Sequence, residues 1–322
     1  MTIFNTFTNA RHIKKLPEID VLLWLASLIQ YKSLGYSLKL YCLDSDIEFL
    51  KQENLYDLYD EIDTEFFKTN ETLPKLNGEK FWSSRKLEAI YHEICELKSG
   101  AIYSDTDIIM FKPIDTNCDA VVWSPEPRYS GQNTIYVDWK HLSKPKGYKM
   151  PDFIKREKDA YNCGIMWFKD PELYKFYREQ YLRFALNNPC EITGVLEYGN
   201  NLFACNGEQR ILKACLTQKK AKVGMIMPEK KFGLSENGNH YYWFRAAWRL
   251  AGEFNLNEKE NPNYNRLLGC FRCLNDLVDM CLKVIGMYNV NIYTHVLSKD
   301  IFKNFYKLRK ERQFGLSLLK YQ

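Results

Sequence analysis

Two aspartates separated by one residue, Asp105 and Asp107, end the apolar strand-like part of Ser99–Ile114 (SGAIYSDTDIIMFKPI). Strand alternation puts residues i and i+2 on one side, so the two carboxylates share a face. Carboxylates this close repel one another unless a cation lies with them. Hard oxygen ligands of this kind suit Mg²⁺ or Mn²⁺, with coordination positions left open for a diphosphate. In isolation such a pair reads first as two solvated acids in a turn. Three neighbours reverse that reading: the apolar strand before it, the helix before that strand, and the Phe111–Ile114 continuation.

The elements around the pair alternate between strand and helix. Thr2–Phe7 reads as a strand. Pro17–Leu34 reads as a helix, with Ile19, Leu22, Leu23, Ala26 and Ile29 or Gln30 at helical spacing and Gly35 just past its end. Leu38–Leu43 is a strand, followed by a helix from about Ser45 with Asp44 or Ser45 as its cap. Ser83–Leu97 carries Leu87, Ile90, Tyr91 and Ile94 on one stripe and leads through Gly100 into the strand Ala101–Ser104. Further on, Cys118–Trp123, Cys163–Phe168 and Val223–Met227 read as strands, and Pro171–Asn187 and Glu208–Thr217 as helices. This alternation predicts an α/β fold, a mostly parallel sheet flanked by helices. In such sheets ligands bind beyond the carboxyl ends of strands, which is where Asp105 and Asp107 stand. A soft boundary separates an α/β core, residues 1–230, from a helical C-terminal region with a basic tail, residues 231–322.

Phe81–Ile114 resembles the DXD region of GT-A-fold glycosyltransferases, and the family 32-like group most closely. There an amphipathic helix leads through a G-x-Y-x-D-x-D stretch to an apolar segment ending in Pro. The matching residues here run from Gly100 through Tyr103, Asp105 and Asp107 to Lys112-Pro113, while Phe81–Lys86 departs from the family's usual Ser-Asp and Arg. The resemblance implies a GT-A fold and a metal-dependent glycosyltransferase. The donor it implies is a nucleotide-sugar, a UDP-sugar first, and the acceptor a glycan or lipid-linked hydroxyl. Asp107 would ligate Mn²⁺ or Mg²⁺ directly, and Asp105 would bind the metal through water or hold the ribose. Tyr161–Phe168 is similar to the strand that lines donor and acceptor, so that Asn162 would position sugar hydroxyls. Asn206–Leu212 looks like the acidic-Gln helix start that follows, making Glu208 a base or an orienter of the acceptor; a helix-dipole partner explains the same acid. Tyr293–Lys299 resembles the late His element of family 8-like enzymes, in which His295 would complete the metal shell and Lys299 would meet the diphosphate. The first strand's end would place Phe7 and Thr8 beside the base. Lys86, a cation opposing its own helix dipole, would point at the diphosphate or lie at the surface.

Composition narrows the alternatives. The chain has 322 residues, 46% hydrophobic and 26% charged, which fits a folded globular protein and excludes a disordered or low-complexity one. Its net charge is +5, and the tail 301–322, with Lys303, Lys307, Arg309, Lys310, Arg312 and Lys320 against Glu311, carries that whole excess. The remainder is neutral overall, so a nucleic-acid partner is not expected. The tail interleaves cations with Phe302, Phe305 and Leu308, a pattern for peripheral contact with an anionic membrane or for a docked helix with a solvated basic face. No apolar run approaches a membrane span and the N-terminus has no secretory core, so a cytoplasmic protein with reduced thiols is expected, with contact at the inner membrane surface if the tail binds lipid. Cys270-Phe271-Arg272-Cys273 lacks the further ligands that zinc needs. The aromatic run Tyr241–Phe244 reads as core or as an acceptor platform. Two rival functions remain: a non-catalytic nucleotide- or sugar-binding protein, and a D-x-D phosphatase. The second is disfavoured because its motif belongs at the end of an early first strand and is usually followed by Thr, whereas Ile108-Ile109 follows here.

Overall fold

Strand alternation divides the core into two apolar layers, one on each face of a single sheet. The computed structural model describes residues 1–7, 18–76, 83–126, 139, 148–187, 205–228, 238–240, 278–288, 290–299 and 303. Along the strands, Ile3, Leu38, Leu40, Ile102, Val121, Trp123, Ile165 and Trp167 join one layer. Phe4, Tyr41, Tyr103, Ala120, Val122, Met166 and Phe168 join the other.

The strands are β1 (Thr2–Thr6), β2 (Ser37–Tyr41), β3 (Glu61–Asp63), β4 (Ile102–Ser104), β5 (Ile108–Met110), β6 (Ala120–Glu126), β7 (Ala160–Phe168), β8 (Val223–Met225) and β9 (Gly238–His240). Seven form one sheet in the order β3-β2-β1-β4-β7-β6-β8, and β5 pairs with β9 in a separate ribbon. The β3-β2-β1-β4 half is parallel. β7 runs antiparallel to β4 and β6, and β8 returns parallel to β6. The fold is therefore α/β with a mostly parallel sheet, as the sequence predicts. From β1 the chain passes to β2 on one side and later to β4 on the other, so the crevice beyond β1 and β4 is a point of strand-order reversal.

Helix α1 (Glu18–Ser33) is apolar almost all round, and Val21–Ala26, Leu28, Ile29 and Tyr31 are all buried. A helix of that kind must be covered on every side. Its end is a Schellman turn: Gly35, at φ +82°, lets Gly35 N–H reach Lys32 O and Tyr36 N–H reach Tyr31 O at 3.0 and 3.1 Å. Helix α2 (Ile47–Gln52) follows a 3₁₀ turn at Asp44–Asp46. Neither Asp44 nor Ser45 caps it; the Asp46 carboxylate instead accepts from Leu43 N–H at 3.1 Å, because the 3₁₀ turn moves the free amide one turn back. Short α3 (Phe66–Thr69) precedes α4 (Ser84–Tyr91), which widens into a π-helical turn at His92–Glu96. After α5 (Asp152–Arg156) and α6 (Pro171–Asn187), a second π turn, Asn206–Arg210, leads into α7 (Ile211–Gln218).

Late in the chain, where Val290 and Ile292 carry strand propensity, Val290–Ser298 is nevertheless a helix, α8, following helical residues 278–288. Ile292 and Val296, four apart, bury themselves in the α1 layer beside Val278, Cys281 and Ile285. Helical spacing of the buried positions thus overrides the β-branched residues Val290 and Ile292. The Cys270–Cys273 and Tyr241–Phe244 segments and nearly all of the basic tail lie outside the described residues. Among the described residues no helix is long and apolar enough to cross a membrane.

Candidate active site

The site is assembled from the end of β4 outward. Strand β4 sits between β1 and β7, and Asn5 on β1 ties its end by donating to Ser104 O at 2.7 Å. Two α1 hydroxyls close the next turn. Ser27 Oγ and Tyr31 Oη donate to Ile108 O at 2.5 and 2.8 Å, and Tyr31 Oη also meets Ser104 Oγ at 2.6 Å. On the other side, Asp105 N–H donates to Gly164 O of β7 at 2.7 Å. The Asp105-Thr106-Asp107 turn is therefore held by three elements of different sequence origin.

Within that turn the two acids differ. Asp107 is 4% exposed. Asp105 is 31% exposed through its side chain, and its two oxygens have unlike surroundings. Oδ1 accepts from Tyr103 Oη at 2.6 Å and lies 3.2 Å from the Lys86 ammonium. Oδ2 is bonded by none of the described residues. Lys86, on α4, is buried and its ammonium also lies 2.7 Å from Glu208 Oε1 and 4.6 Å from the centre of the Tyr103 ring. Glu208 comes from the π turn and is 1% exposed; Tyr177 Oη fixes that turn by donating to its carbonyl at 2.9 Å.

One ammonium thus serves two carboxylates. Burial works against the Lys86 charge, but Asp105 and Glu208 outweigh it and hold its pKa well above the ordinary value. Burial raises the Glu208 carboxyl, with Lys86 pulling it back. Burial, and then the Asp105 charge, keep the Tyr103 phenol protonated, so it remains a donor to Asp105.

The sequence-derived candidates fall into groups. Lys86, Asp105 and Glu208 are in direct contact. Asn162 is on β7, two residues before the Gly164 that binds Asp105, and both ends of its amide are engaged: Gly164 N–H donates to Oδ1 and Nδ2 donates to Glu126 Oε1, each at 2.9 Å. Phe7, just past β1, stacks on Phe49 at 5.7 Å and meets Trp24 at 4.9 Å. Thr8 lies outside the described residues. Lys299 is ion-paired with Glu53, one helical turn from Phe49. His295 is on α8, and its Nε2 is buried with no hydrogen-bond partner among the described residues. Among those residues, no three His, Cys, Asp or Glu side chains gather as a metal cage, so Asp105, Asp107 and His295 form no preformed three-ligand set.

Sequence reasoning placed Tyr103 in the motif without giving it a role, and missed Glu126. Tyr103 was legible in principle: it precedes Asp105 by two on a strand and must share its side. Nothing in the spacing of Glu126 marks it, since it reaches Asn162 through β6–β7 pairing with a register shift between Val122 and Ser124.

Comparison with known proteins adds little to this geometry. No family model matches the chain, and no curated protein matches it. A solved structure described as "PaToxG Glycosyltransferase" is similar at 12% identity, over 68% of this chain and 69% of that one, with a TM-score of 0.34.

Proposed function

We propose that this chain is a metal-dependent glycosyltransferase that uses a nucleotide-sugar donor, a UDP-sugar first, and transfers to a hydroxyl of a glycan or lipid-linked acceptor. The observation that carries the reading is Asp105. It stands beyond the carboxyl end of β4 at the strand-order reversal, with one oxygen pinned from behind and the other unclaimed by the described residues.

The residues present fit a small divalent cation. Mg²⁺ is commonly bound by one or two carboxylates together with substrate phosphates rather than by an all-protein cage. Asp105 Oδ2 and Asp107 would supply the carboxylates. A bound Mg²⁺ or Mn²⁺ neutralises charge on a departing diphosphate.

The chain's own residues take the remaining roles. Phe7, braced by Trp24 and Phe49, offers an aromatic edge to the base at the end of β1. Asn162, with its amide orientation fixed by Gly164 and Glu126, presents a rigid polar group beside the β4 turn. Glu208 is too deeply buried to meet an acceptor directly in this arrangement, so it acts through Lys86, whose ammonium it holds against Asp105. Lys299, just past the end of α8 and paired with Glu53, and His295 four residues earlier on α8 remain the candidates for phosphate contact.

Thermal stabilisation by UDP, GDP, CMP and ADP, each with Mn²⁺ and with chelator, tests this reading. The expected result is a shift for one nucleotide that requires metal and disappears in Asp107→Ala, since a ligand that binds the folded state raises stability by mass action. Metal-dependent hydrolysis of the matching nucleotide-sugar should follow the same pattern. Unchanged, metal-dependent donor turnover in Asp107→Ala would defeat the reading, as would phosphate release from phosphomonoesters without any nucleotide response.

A further inference from the structure

Asp105 offers half of its carboxylate. Tyr103 Oη donates to Oδ1 at 2.6 Å and the Lys86 ammonium lies 3.2 Å from the same atom. Neither group has room to leave. The Tyr103 ring is packed edge-on against Phe4 at 5.5 Å, with the Lys86 ammonium 4.6 Å from its centre. Lys86 is itself retained by Glu208 at 2.7 Å. The backbone of Asp105 is fixed as well, through Gly164 O.

We propose that Tyr103 and Lys86 are positioning residues that occupy Asp105 Oδ1 and make the aspartate a one-oxygen ligand, so that the carboxylate pair favours Mg²⁺ over Ca²⁺. This rests on the metal-dependent reading above. The argument is one of coordination number. Mg²⁺ takes six ligands in a near-ideal octahedron, each carboxylate giving one oxygen. Ca²⁺ takes six to eight and gains from carboxylates that bind through both oxygens. A pinned Oδ1 withholds the second oxygen from the larger ion and costs the smaller one nothing.

The test is a calorimetric titration of MgCl₂ and of CaCl₂ into the full chain with UDP present, and with GDP in a parallel series. Tyr103→Phe keeps the ring and its contacts but removes the hydroxyl on Oδ1. It should strengthen Ca²⁺ binding, leave Mg²⁺ binding nearly unchanged, and narrow the Mg²⁺:Ca²⁺ ratio roughly tenfold, the size of one hydrogen bond to a charged group. The charge-balanced pair Lys86→Met with Glu208→Gln clears the ammonium from Oδ1 and should narrow the ratio in the same direction. A ratio within about twofold of the native one in both variants overturns the inference, since freeing Oδ1 would then have changed nothing. If the native protein responds to metal, loses the response in Asp107→Ala, and yet shows that unmoved ratio, the metal-dependent reading stands and this inference alone falls. If the native protein binds neither cation with either nucleotide, this inference falls, and if Mn²⁺ with UDP, GDP, CMP or ADP gives no thermal shift either, the metal-dependent reading falls with it.

Discussion

Replacing Lys86 by Met removes the one ammonium that two carboxylates share. At an effective dielectric of ~20, Coulomb's law gives an attraction of about 6 kcal/mol to Glu208 at 2.7 Å and about 5 kcal/mol to Asp105 at 3.2 Å. Desolvation of the buried ammonium offsets most of this in the native protein. In the variant that offset is gone, but Glu208 is left buried and unpaired, and breaking a buried pair from one side costs about 3–5 kcal/mol. For a chain of this size that is a fall of roughly 4–7 °C in Tm. The deficit should depend on pH. Without Lys86, burial holds the folded pKa of Glu208 above its unfolded value, so the folded state binds the proton more tightly. The protonated variant is then the more stable one, and stability is lost as pH rises through the folded value. Urea unfolding at pH 5 and pH 8 reads this directly: Lys86→Met should trail the native protein by more at pH 8. Adding Glu208→Gln should recover more than half of the loss at pH 8. A cost below about 1 kcal/mol, a deficit equal at both pH values, or a double variant no better than the single one would refute the account of the triad.

Two further outcomes follow from features away from the triad. Burial pushes the Glu93 carboxyl up, but Ser99, Tyr41 and Lys39 outweigh it and leave its pKa below the ordinary 4.5. A lowered folded pKa gives stability that is present above the unfolded value and lost as pH falls through the folded one. Glu93→Gln should therefore cost about 2 kcal/mol at pH 7 and converge with the native protein below about pH 4, as followed by acid titration of unfolding. At Gly224 an added Cβ would lie 2.9 Å from Cys118 Sγ and 3.4 Å from Val121 Cγ2. Gly224→Ala should cost about 1–3 kcal/mol in denaturant unfolding, and Cys118→Ala beside it should restore most of that.

The elements legible in the sequence were those with both a long apolar period and terminal chemistry. Helix α6 runs over the expected Pro171–Asn187, with Pro171 at its first position and the Asp170 carboxylate accepting from Glu172 N–H at 2.9 Å. Strand β3 escaped because it is three residues long with an acid at each end, and it exists through pairing with β2. Both π turns were hidden in patterns that read as plain α-helix, since one extra residue in a turn leaves the apolar stripe nearly intact. In the site, Lys86, Asp105 and Glu208 were each visible as separate segments. That they touch depends on α4, β4 and the Asn206–Arg210 turn meeting over one face of the sheet, which no local pattern encodes. The late segment is hard to read for the opposite reason: Val290 and Ile292 carry strand propensity, and helical burial of Ile292 and Val296 overrides it.

The sheet order also sets a sequence of events during synthesis. Strand β4 can pair with β1 as soon as residue 104 is made, but its other edge stays open until β7 arrives at residues 160–168. Lys86 and Glu208 are separated by roughly 120 residues, about 6–24 s of translation at ~5–20 residues per second. For that interval the nascent chain holds an ammonium and an aspartate without their second acid, and until β7 is made it also carries an unpaired strand edge that invites wrong partners. Fragments that stop between residues 105 and 160 should accordingly bind chaperones or aggregate, while a chain that runs on through α7 closes first the edge and then the triad.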